Sequence, residues 1–253
     1  MPEAEDSRAT RYTTLAAGPD FRHELEIKRS RFITVLRRVE DEDGARALIT
    51  ELRREFHDAR HHCSAFILGP DRMTQRSSDD GEPSGTAGIP MLEALNRRET
   101  ANGVADLSDV CAVVVRYFGG ILLGAGGLVR AYSDSVSQAA DRAPWVTRQR
   151  LRLADVPVGF ADAGKLENEI RSAGLRVVGT EYGAGHATLR VAFEDDAATL
   201  DRVQRTVLSL SAGAYDARPG GTEWVDLTGR TGPLPDFSEV DLSITIENPG
   251  NAD

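Results

Sequence analysis

The 253 residues allow one large domain or two of ordinary size, and 40% hydrophobic residues are enough to bury a core. A net charge of −10 excludes a protein that binds nucleic acid with its whole surface, although a local basic patch is compatible with it because salt screens charges beyond about 8–10 Å. The N-terminus is polar and no apolar run approaches the roughly 20 residues of a membrane span. We therefore expect a cytoplasmic protein.

The first third of the chain predicts strands around one helix. Residues 1–22 are polar and are expected to form a flexible N-terminal segment. A strand is predicted over residues 32–39, and apolar residues then recur at helical spacing up to Phe56. A second strand is predicted over residues 62–68. Residues 69–89 are rich in Gly, Ser, Asp and Pro and exceed an ordinary connection of about 4–6 residues, which predicts a functional or disordered loop.

The middle of the chain completes a first domain over residues 23–147. Pro90 suits the first position of a helix, and the apolar run at residues 110–115 is typical of a strand covered on both faces. The glycine-rich stretch 119–127 leads into another helix, and Pro144 lies just past its end. We place the domain boundary there.

The second half predicts a separate small domain over residues 148–227. Two helices are expected, the first capped by Asp162 and the second by Asp195 or Asp196. Strands are predicted around them at residues 151–158, 175–182, 187–193 and 214–227. The order βαββαβ is that of the ferredoxin-like fold. Residues 228–253 are acidic and rich in Pro and Gly, and they are expected to form a tail. The fold class is therefore α/β (α+β) with two domains.

The strand, glycine run and helix at residues 110–140 suggest an anion site. Glycines that enter a helix leave backbone N–H groups accessible, and the helix dipole favours a negative charge there. Arg116 and Arg130 flank the run and offer charge-assisted hydrogen bonds. The run has no lysine for a P-loop, and Val129 stands where a dinucleotide fingerprint needs its last glycine. A tight turn that needs positive φ is the competing interpretation.

The segment DDGEPSGTAG at residues 79–88 is a second candidate. Asp79, Asp80 and Glu82 have the oxygen ligands that Mg²⁺ or Ca²⁺ favours, but the EF-hand pattern is absent. Ser84 and Thr86 would need a neighbouring base to act as nucleophiles. We favour an ordered surface loop held by side-chain turns over a catalytic loop.

Histidines, cysteines and a basic run give weaker signals. His57 and His61 share a helix face only if the first helix extends that far, and with Cys63 they lack a convincing fourth zinc ligand. Cys63 and Cys111 lie in apolar runs and are expected to be reduced core residues. We expect no metal and no cofactor. The run at residues 28–31 is a solvated face or part of a phosphate-binding rim with Arg116 or Arg130.

At these residues the chain resembles the IMPACT/YigZ family. The resemblance rests on KRSRFI, ARHHCSAF, DDGEPSGTAGIPML and RYFGGILLGAGGLVRAY, which span most of the first domain, while the second half matches the family's C-terminal domain with weaker motifs. Two departures stand out. The family usually has threonine at Val115 and lysine at Leu122, and loss of that lysine weakens the case for anion binding in the glycine run.

The resemblance implies a first domain like domain 2 of small-subunit ribosomal protein five and a second like the last domain of elongation factor G. It implies that eukaryotic relatives regulate translation by binding the activator of a stress kinase, and that a nucleic-acid or ribosome role of bacterial relatives is inferred from fold, which does not fix function.

We therefore expect a non-enzymatic, translation-linked regulator or binding module that contacts RNA, the ribosome or a ribosome-associated protein. The alternatives are an enzyme for a small phosphorylated or peptide-like substrate and a pure protein-interaction adaptor. The candidate binding surface comprises Arg29, Arg31, His61, Asp80, Glu82, Ser84, Thr86, Arg116, Gly119, Gly120, Gly124, Gly126, Gly127 and Arg130. No catalytic residue and no oligomeric state is assigned.

Overall fold

The structure, a computed structural model, describes residues 8–195 and 197–227. Its elements divide into two units, with the division between Gln149 and Arg150. The boundary predicted from the sequence lies between residues 147 and 148. Each unit has helices packed on an antiparallel sheet, so the expected mixed α/β fold with two domains is confirmed. The predicted acidic tail at residues 228–253 lies outside the described residues.

The first unit is built on a five-stranded sheet in the order β2-β3-β6-β4-β5, and every neighbouring pair is antiparallel. The central strand β6 is almost wholly buried because helices cover both faces of the sheet, which explains its continuous apolar run. The strands are β2 (Phe21–Ile27), β3 (Ser30–Arg38), β4 (His61–Leu68), β5 (Thr74–Ser78) and β6 (Val110–Tyr117).

Two separate cores flank this sheet. One face carries helix α1 (Glu42–Glu55), whose Leu48 and Leu52 pack against Val113 and Val115. Asp41 caps this helix, since its carboxylate accepts a hydrogen bond from the Gly44 N–H at 2.7 Å.

The other face carries α2 (Gly88–Asn96) and α3 (Gly124–Arg142). Buried Met91 and Tyr132 of these helices join Phe32 of the sheet in the larger core. The sheet is therefore the middle of three layers, and its ends are the places where loops from both faces can meet.

Three parts of this unit differ from the sequence predictions. The N-terminal segment 1–22, predicted to be flexible, contains strand β1 (Arg11–Leu15), which pairs with residues 145–149. The loop predicted over residues 69–89 contains β5. The second half of the glycine run is already helical, because α3 begins at Gly124. In each case backbone pairing or helix packing overrides a local composition that is typical of loops.

Strand β1 is held to the first unit by a buried polar network. The Tyr12 hydroxyl donates to the Asp109 carboxylate, and the Arg148 Nη1 lies 3.2 Å from the Tyr12 oxygen. The Thr14 hydroxyl donates to the Asp109 carbonyl at 3.1 Å. Burial and the neighbouring Asp109 raise the pKa of Tyr12 well above its usual value, so this tyrosine stays protonated.

The second unit has the predicted βαββαβ order. Strands β9 and β7 are adjacent, β8 flanks β9, and β10 flanks β7, which is the ferredoxin-like arrangement. Both helices pack on one face, where Ile170 and Val207 contact sheet residues such as Leu189 and Val191. The elements are β7 (Trp145–Val158), whose first residues belong to the first unit, α4 (Phe160–Ser172), β8 (Arg176–Tyr182), β9 (Ala187–Glu194), α5 (Ala197–Leu210) and β10 (Arg218–Leu227).

The prediction that Asp162 caps the first helix of this unit is wrong. Gly159 occupies the N-cap of α4, and Asp162 lies within the first turn, where its carboxylate accepts a hydrogen bond from the Tyr215 hydroxyl at 2.6 Å. The Asp195 carboxylate accepts from the guanidinium groups of Arg150 and Arg152, and Asp196 lies outside the described residues.

Within the described ranges, no helix has the length and apolarity needed to cross a membrane.

Candidate functional site

The sheet of the first unit brings three chain segments of the candidate surface to one edge. Strands β3 and β4 both run antiparallel to β6, so both begin where β6 ends. The register aligns Phe32 of β3 and His61 of β4 with Arg116 of β6. The basic run before β3, the histidine pair that opens β4 and the glycine run after β6 therefore lie at the same end of the sheet.

The basic run forms the turn between β2 and β3. Strand residues Ile27 and Ser30 pair directly, which leaves a two-residue turn at Lys28 and Arg29. These residues have φ of 49° and 64°, so both adopt the left-handed conformation of a type I′ turn. Such turns favour Asn-Gly, and each side chain with a Cβ in this region costs about 1–2 kcal/mol. The turn therefore keeps two cations at the expense of backbone strain.

The glycine run touches this turn. A Cβ atom built on Gly119 would lie 2.0 Å from the carbonyl carbon of Arg29, so only glycine fits there. The Gly119 N–H donates to the Ser30 hydroxyl at 3.1 Å. The close approach explains why the loop needs a glycine at its first position and fixes the basic turn against it.

The three cationic side chains in the turns that lead into β3 and β4 make no hydrogen bond or ion pair with any described residue. They are Lys28, Arg29 and Arg60, which directly precede β3 or β4, and all three side chains are exposed. We call this set the basic edge. Lys28 was predicted only as part of the basic run, and Arg60 was not predicted. The signal that could have found Arg60 is its position directly before a strand that flanks the central strand.

The start of the glycine run exposes apolar side chains beside the basic edge. Phe118 is 53% exposed and Leu122 is 84% exposed, and Ile121 between them is also exposed. Gly120 and Gly124 in the same run have positive φ, and a Cβ atom built on either would have no other atom within 4 Å. Gly126 and Gly127 lie within the first turn of α3, whose N-terminus has no side-chain cap.

The segment at residues 79–88, which we call the acidic loop, is held by its own carboxylates. Asp79 accepts hydrogen bonds from the backbone N–H groups of Gly85, Ala87 and Gly88 at 2.7–3.0 Å. Burial opposes ionisation of Asp79, but these three donors together lower its pKa. The Asp79 carboxylate therefore holds the start of α2. Both of its oxygens already accept hydrogen bonds, so they are not arranged to coordinate a cation.

Asp80 ties the acidic loop to two other elements. One carboxylate oxygen accepts from Arg53 of α1 at 2.6 Å, and the other accepts from the His62 N–H at 2.7 Å. The His61 Nδ1 lies 2.9 Å from the Asp80 carbonyl oxygen. Asp80 and His61, both predicted surface residues, are thus brought together, but as parts of a loop anchor.

Glu82 joins the acidic loop to β6 and α3. Its Oε1 accepts from Arg116 Nη1 at 2.6 Å and from the Tyr132 hydroxyl at 2.7 Å. The Arg116 guanidinium also lies over the rings of Phe32 and Phe118. Glu82 and Arg116 are both buried, so this pair is an internal link and not an accessible charge. Tyr132 was not among the predicted surface residues.

The remaining polar residues of the acidic loop lack a catalytic arrangement. Ser84 is exposed, and its hydroxyl makes no hydrogen bond with a described residue. Thr86 is buried and its hydroxyl donates to the Pro83 carbonyl at 2.6 Å. Cys63 is buried, with Sγ 3.0 Å from the Asp79 carbonyl oxygen, and burial raises its thiol pKa to about 12. A thiol of that kind is not a nucleophile at neutral pH.

Two predicted arginines do not join the basic edge. Arg31 makes two hydrogen bonds to Glu24 and lies over the Tyr117 ring, so its charge is already partnered. Arg130 lies on the groove between α2 and α3 with Gly85 and Ile89. Arg116 is buried and Arg130 lines that groove, so neither is among the exposed cations of the basic edge, and the phosphate-binding rim stays a prediction.

Metal binding finds no support in the described part of the chain. No group of three or more His, Cys, Asp or Glu side chains there is arranged to hold a metal ion. The Nδ1 of His62 lies 3.8 Å from the Asp80 carboxylate, and burial lowers the pKa of His62.

Comparisons with protein-family models match both units. The Impact N-terminal domain matches residues 28–140, and a domain of unknown function, DUF1949, matches residues 156–214. A solved structure described only as a hypothetical protein shares 33% identity, with a TM-score of 0.55, and the alignment covers 83% of this chain and 97% of that one.

Curated relatives carry the same family name. IMPACT family member YvyE of Bacillus subtilis is 46% identical over 151 residues, which are 60% of this chain and 66% of the relative. IMPACT family member YigZ of Escherichia coli is 53% identical over 45% of this chain and 53% of the relative. A Thermus thermophilus member, named for the pol 5′ region, is 36% identical over 59% of this chain and 76% of the relative. The chain thus spans about half to two thirds of the length of the first two.

Proposed function

Because this chain belongs to the IMPACT family, we propose that it is a non-enzymatic binding module linked to translation, which contacts RNA or the ribosome through the basic edge. The observation that carries the proposal is the turn at Lys28 and Arg29. Two unpaired cations occupy left-handed positions where asparagine and glycine would be less strained. Strain of this kind persists where the residue type serves a purpose other than stability.

The residues around the turn suit a nucleic acid, which carries both phosphates and flat bases. Lys28, Arg29 and Arg60 offer charge to phosphates, and Phe118 offers an exposed ring on which a base can stack. The protein as a whole is acidic, so binding would be confined to this edge and would weaken steeply with salt. A cytoplasmic location is part of this proposal.

An enzyme is a weaker proposal for the same surface. The carboxylates of Asp79, Asp80 and Glu82 all accept hydrogen bonds from backbone or side-chain donors that hold the acidic loop. Catalytic side chains typically point into a cleft, whereas these three carboxylates are engaged in hydrogen bonds that hold the loop in place.

The test is a double variant that separates binding from folding. Lys28→Asn with Arg29→Gly supplies the preferred residues of a type I′ turn, so it is expected to raise the free energy of unfolding by about 1 kcal/mol or more. The same variant is expected to weaken binding to a mixed-sequence single-stranded RNA and to ribosomes in co-sedimentation. The slope of log K against log salt should fall by about 0.7 for each phosphate contact removed.

The matched control removes the same charge elsewhere. Arg46→Gln with Lys165→Gln eliminates two exposed cations, one on α1 at the opposite end of the sheet and one on the second unit. This control should bind as the parent protein does. No RNA or ribosome binding at low salt, or equal loss in both double variants, would overturn the proposal.

A second candidate function, docking of a ribosome-associated or other protein, is favoured by Leu122. The Leu122 side chain is 84% exposed and lies beside exposed Ile121. An exposed apolar patch of this kind is typical of a protein-binding surface and does not contribute to contacts with RNA phosphates. The surface would then take a partner segment that combines apolar and acidic residues.

Leu122→Lys distinguishes the two candidates. The change restores the lysine that related sequences usually have and is exposed, so the fold should be unaffected. RNA binding should strengthen if the edge contacts phosphates. Unchanged RNA binding together with loss of a co-purifying protein would favour the docking function.

A further inference from the structure

The second unit contains a small pocket beside the start of β8. Its volume is about 150 Å³, and Leu151 and Phe193 form part of its wall. The charged groups that line it are Arg176, Arg202 and Glu194. A water molecule in the liquid occupies about 30 Å³ and ligand pockets for drug-sized molecules about 300–1,000 Å³, so this space suits a small ion and not a nucleotide.

The two arginines of the pocket lack partners that other arginines of the unit have. Arg171 pairs with Glu167 at 2.9 Å, and Arg190 pairs with Asp155 at 3.0 Å. Neither the Arg176 nor the Arg202 side chain makes a hydrogen bond or an ion pair with any residue in the described ranges. Guanidinium groups cannot lose their proton in proteins, so both remain charged.

Arg176 is the more informative of the two because it is partly buried. Burial lowers its pKa, which means that the site penalises the positive charge, while Glu223 attracts it only from a distance and Arg171 repels it. A charge removed from water without a hydrogen-bonded counter-ion is unfavourable. An anion bound in the pocket would remove this penalty.

We propose that this pocket binds a phosphate group, held between the guanidinium groups of Arg176 and Arg202. Guanidinium forks match the oxygen geometry of phosphate and form short charge-assisted hydrogen bonds. Glu194 faces the same space and offsets one of the two charges, so binding is expected to be moderate and selective for a compact, doubly charged oxyanion. The site is independent of the basic edge, and its failure would leave the proposed function untouched.

The experiment titrates the full-length protein with inorganic phosphate at constant ionic strength, with chloride as the replaced anion. Arginine Nε–Hε signals in ¹H–¹⁵N spectra report on the guanidinium groups directly. Saturable shifts are expected for Arg176 and Arg202. Arg176→Gln and Arg202→Gln should each weaken phosphate binding about ten-fold, as loss of one charge-assisted hydrogen-bonded group implies.

Two further variants keep the proposal falsifiable if an arginine variant fails to fold. Glu194→Gln removes the opposing charge and should strengthen phosphate binding, an effect of opposite sign. Arg205→Gln removes an exposed arginine of the same helix that does not line the pocket, and it should change nothing.

A methyl phosphate titration identifies the source of the phosphate group. Saturable binding supports a phosphoryl group carried by an organic molecule, and its exclusion while inorganic phosphate binds supports the free ion. Linear, unsaturable shifts with phosphate, or equal binding by the Arg176→Gln, Arg205→Gln and parent proteins, would overturn the proposal.

Discussion

Glu82 and Arg116 carry opposite charges that the interior of the first unit holds together. Their side chains are 4% and 7% exposed, and Tyr132 adds a second hydrogen bond to the same carboxylate oxygen. A buried pair of this kind contributes little net stability relative to apolar residues, but it fixes geometry, because a mispaired charge would be costly. Here the geometry it fixes is the contact between the acidic loop and α3.

Asp79 and Asp80 show the same use of charge in a less buried place. Their oxygens accept hydrogen bonds from backbone N–H groups and from the Arg53 guanidinium. The acidic residues of this loop, whose pattern could indicate metal or acid–base chemistry, therefore hold it as a rigid turn. The sequence interpretation as an ordered loop anticipated this role. It did not identify the donors, which come from residues up to 27 positions away.

His62 makes stability depend on pH. Burial lowers the pKa of His62 below the usual histidine value of about 6.5, and although Asp80 partly offsets this, the nearby Arg53 acts in the same direction as burial. Below about pH 6.5 the unfolded chain binds a proton that folded His62 resists, so stability falls as pH falls, by up to about 1.4 kcal/mol per pH unit. The His62→Gln variant should show a smaller loss between pH 7 and pH 5 in urea unfolding.

The control for this prediction is His57→Gln, which removes an exposed histidine just before β4. This control keeps the buried His62, so it should retain the loss of stability between pH 7 and pH 5. An undiminished slope in His62→Gln would show that other groups cause the acid sensitivity.

At the scale of elements, the contact between the basic turn and the glycine run decides the shape of the basic edge. The turn has two residues only because Ile27 pairs with Ser30. The loop after β6 can lie on it only because Gly119 has no side chain. Neither condition can be predicted from one segment alone, since Arg29 in the strained turn and Gly119, which allows the close approach, are about 90 positions apart in the chain.

Gly119→Ala tests this contact. A Cβ atom 2.0 Å from the Arg29 carbonyl carbon forces one of the two backbones to move, which should destabilise the protein by about 1–3 kcal/mol or more. The matched control is Gly126→Ala in the first turn of α3, where no atom lies within 4 Å of the added Cβ. That change should raise stability by about 0.5–1 kcal/mol. Equal effects in thermal unfolding would contradict the proposed close approach.

The elements that the sequence predicted well have a strong local signal. Helix α1 combines an acidic N-cap with buried leucines at helical spacing, and β6 is a continuous apolar run between polar segments. Strands β1 and β5 were missed because RYTTL and TQRSS are short and largely polar. Each becomes a strand by pairing with a partner distant in sequence or with the preceding strand β4, which local propensity does not encode.

On the scale of the molecule, the two units have separate hydrophobic cores. Leu36 is fully buried in the core of the first unit, and Leu189 is fully buried in that of the second. No buried residue is shared between the two clusters, so damage to one core is expected to stay largely within its own unit.

Leu189→Ala tests this independence. Loss of a fully buried leucine should destabilise the second unit by about 2–5 kcal/mol. In hydrogen exchange, the amides of β8 and β9 should lose protection while those of β4 and β6 keep it. Leu36→Ala should give the reverse pattern, and loss of protection in both units from either variant would mean that they unfold as one cooperative body.

The sequence alone determined the two-domain α/β organisation, the βαββαβ order of the second unit and membership of the IMPACT family. These follow from hydrophobic periodicity and from motifs that are contiguous in the chain. Tertiary structure alone decided which residues of those motifs face solvent. Strand order placed Lys28, Arg29 and Arg60 at the end of β6 and buried Arg116 against Glu82, since exposure and ion pairing depend on neighbours that the fold brings from distant positions.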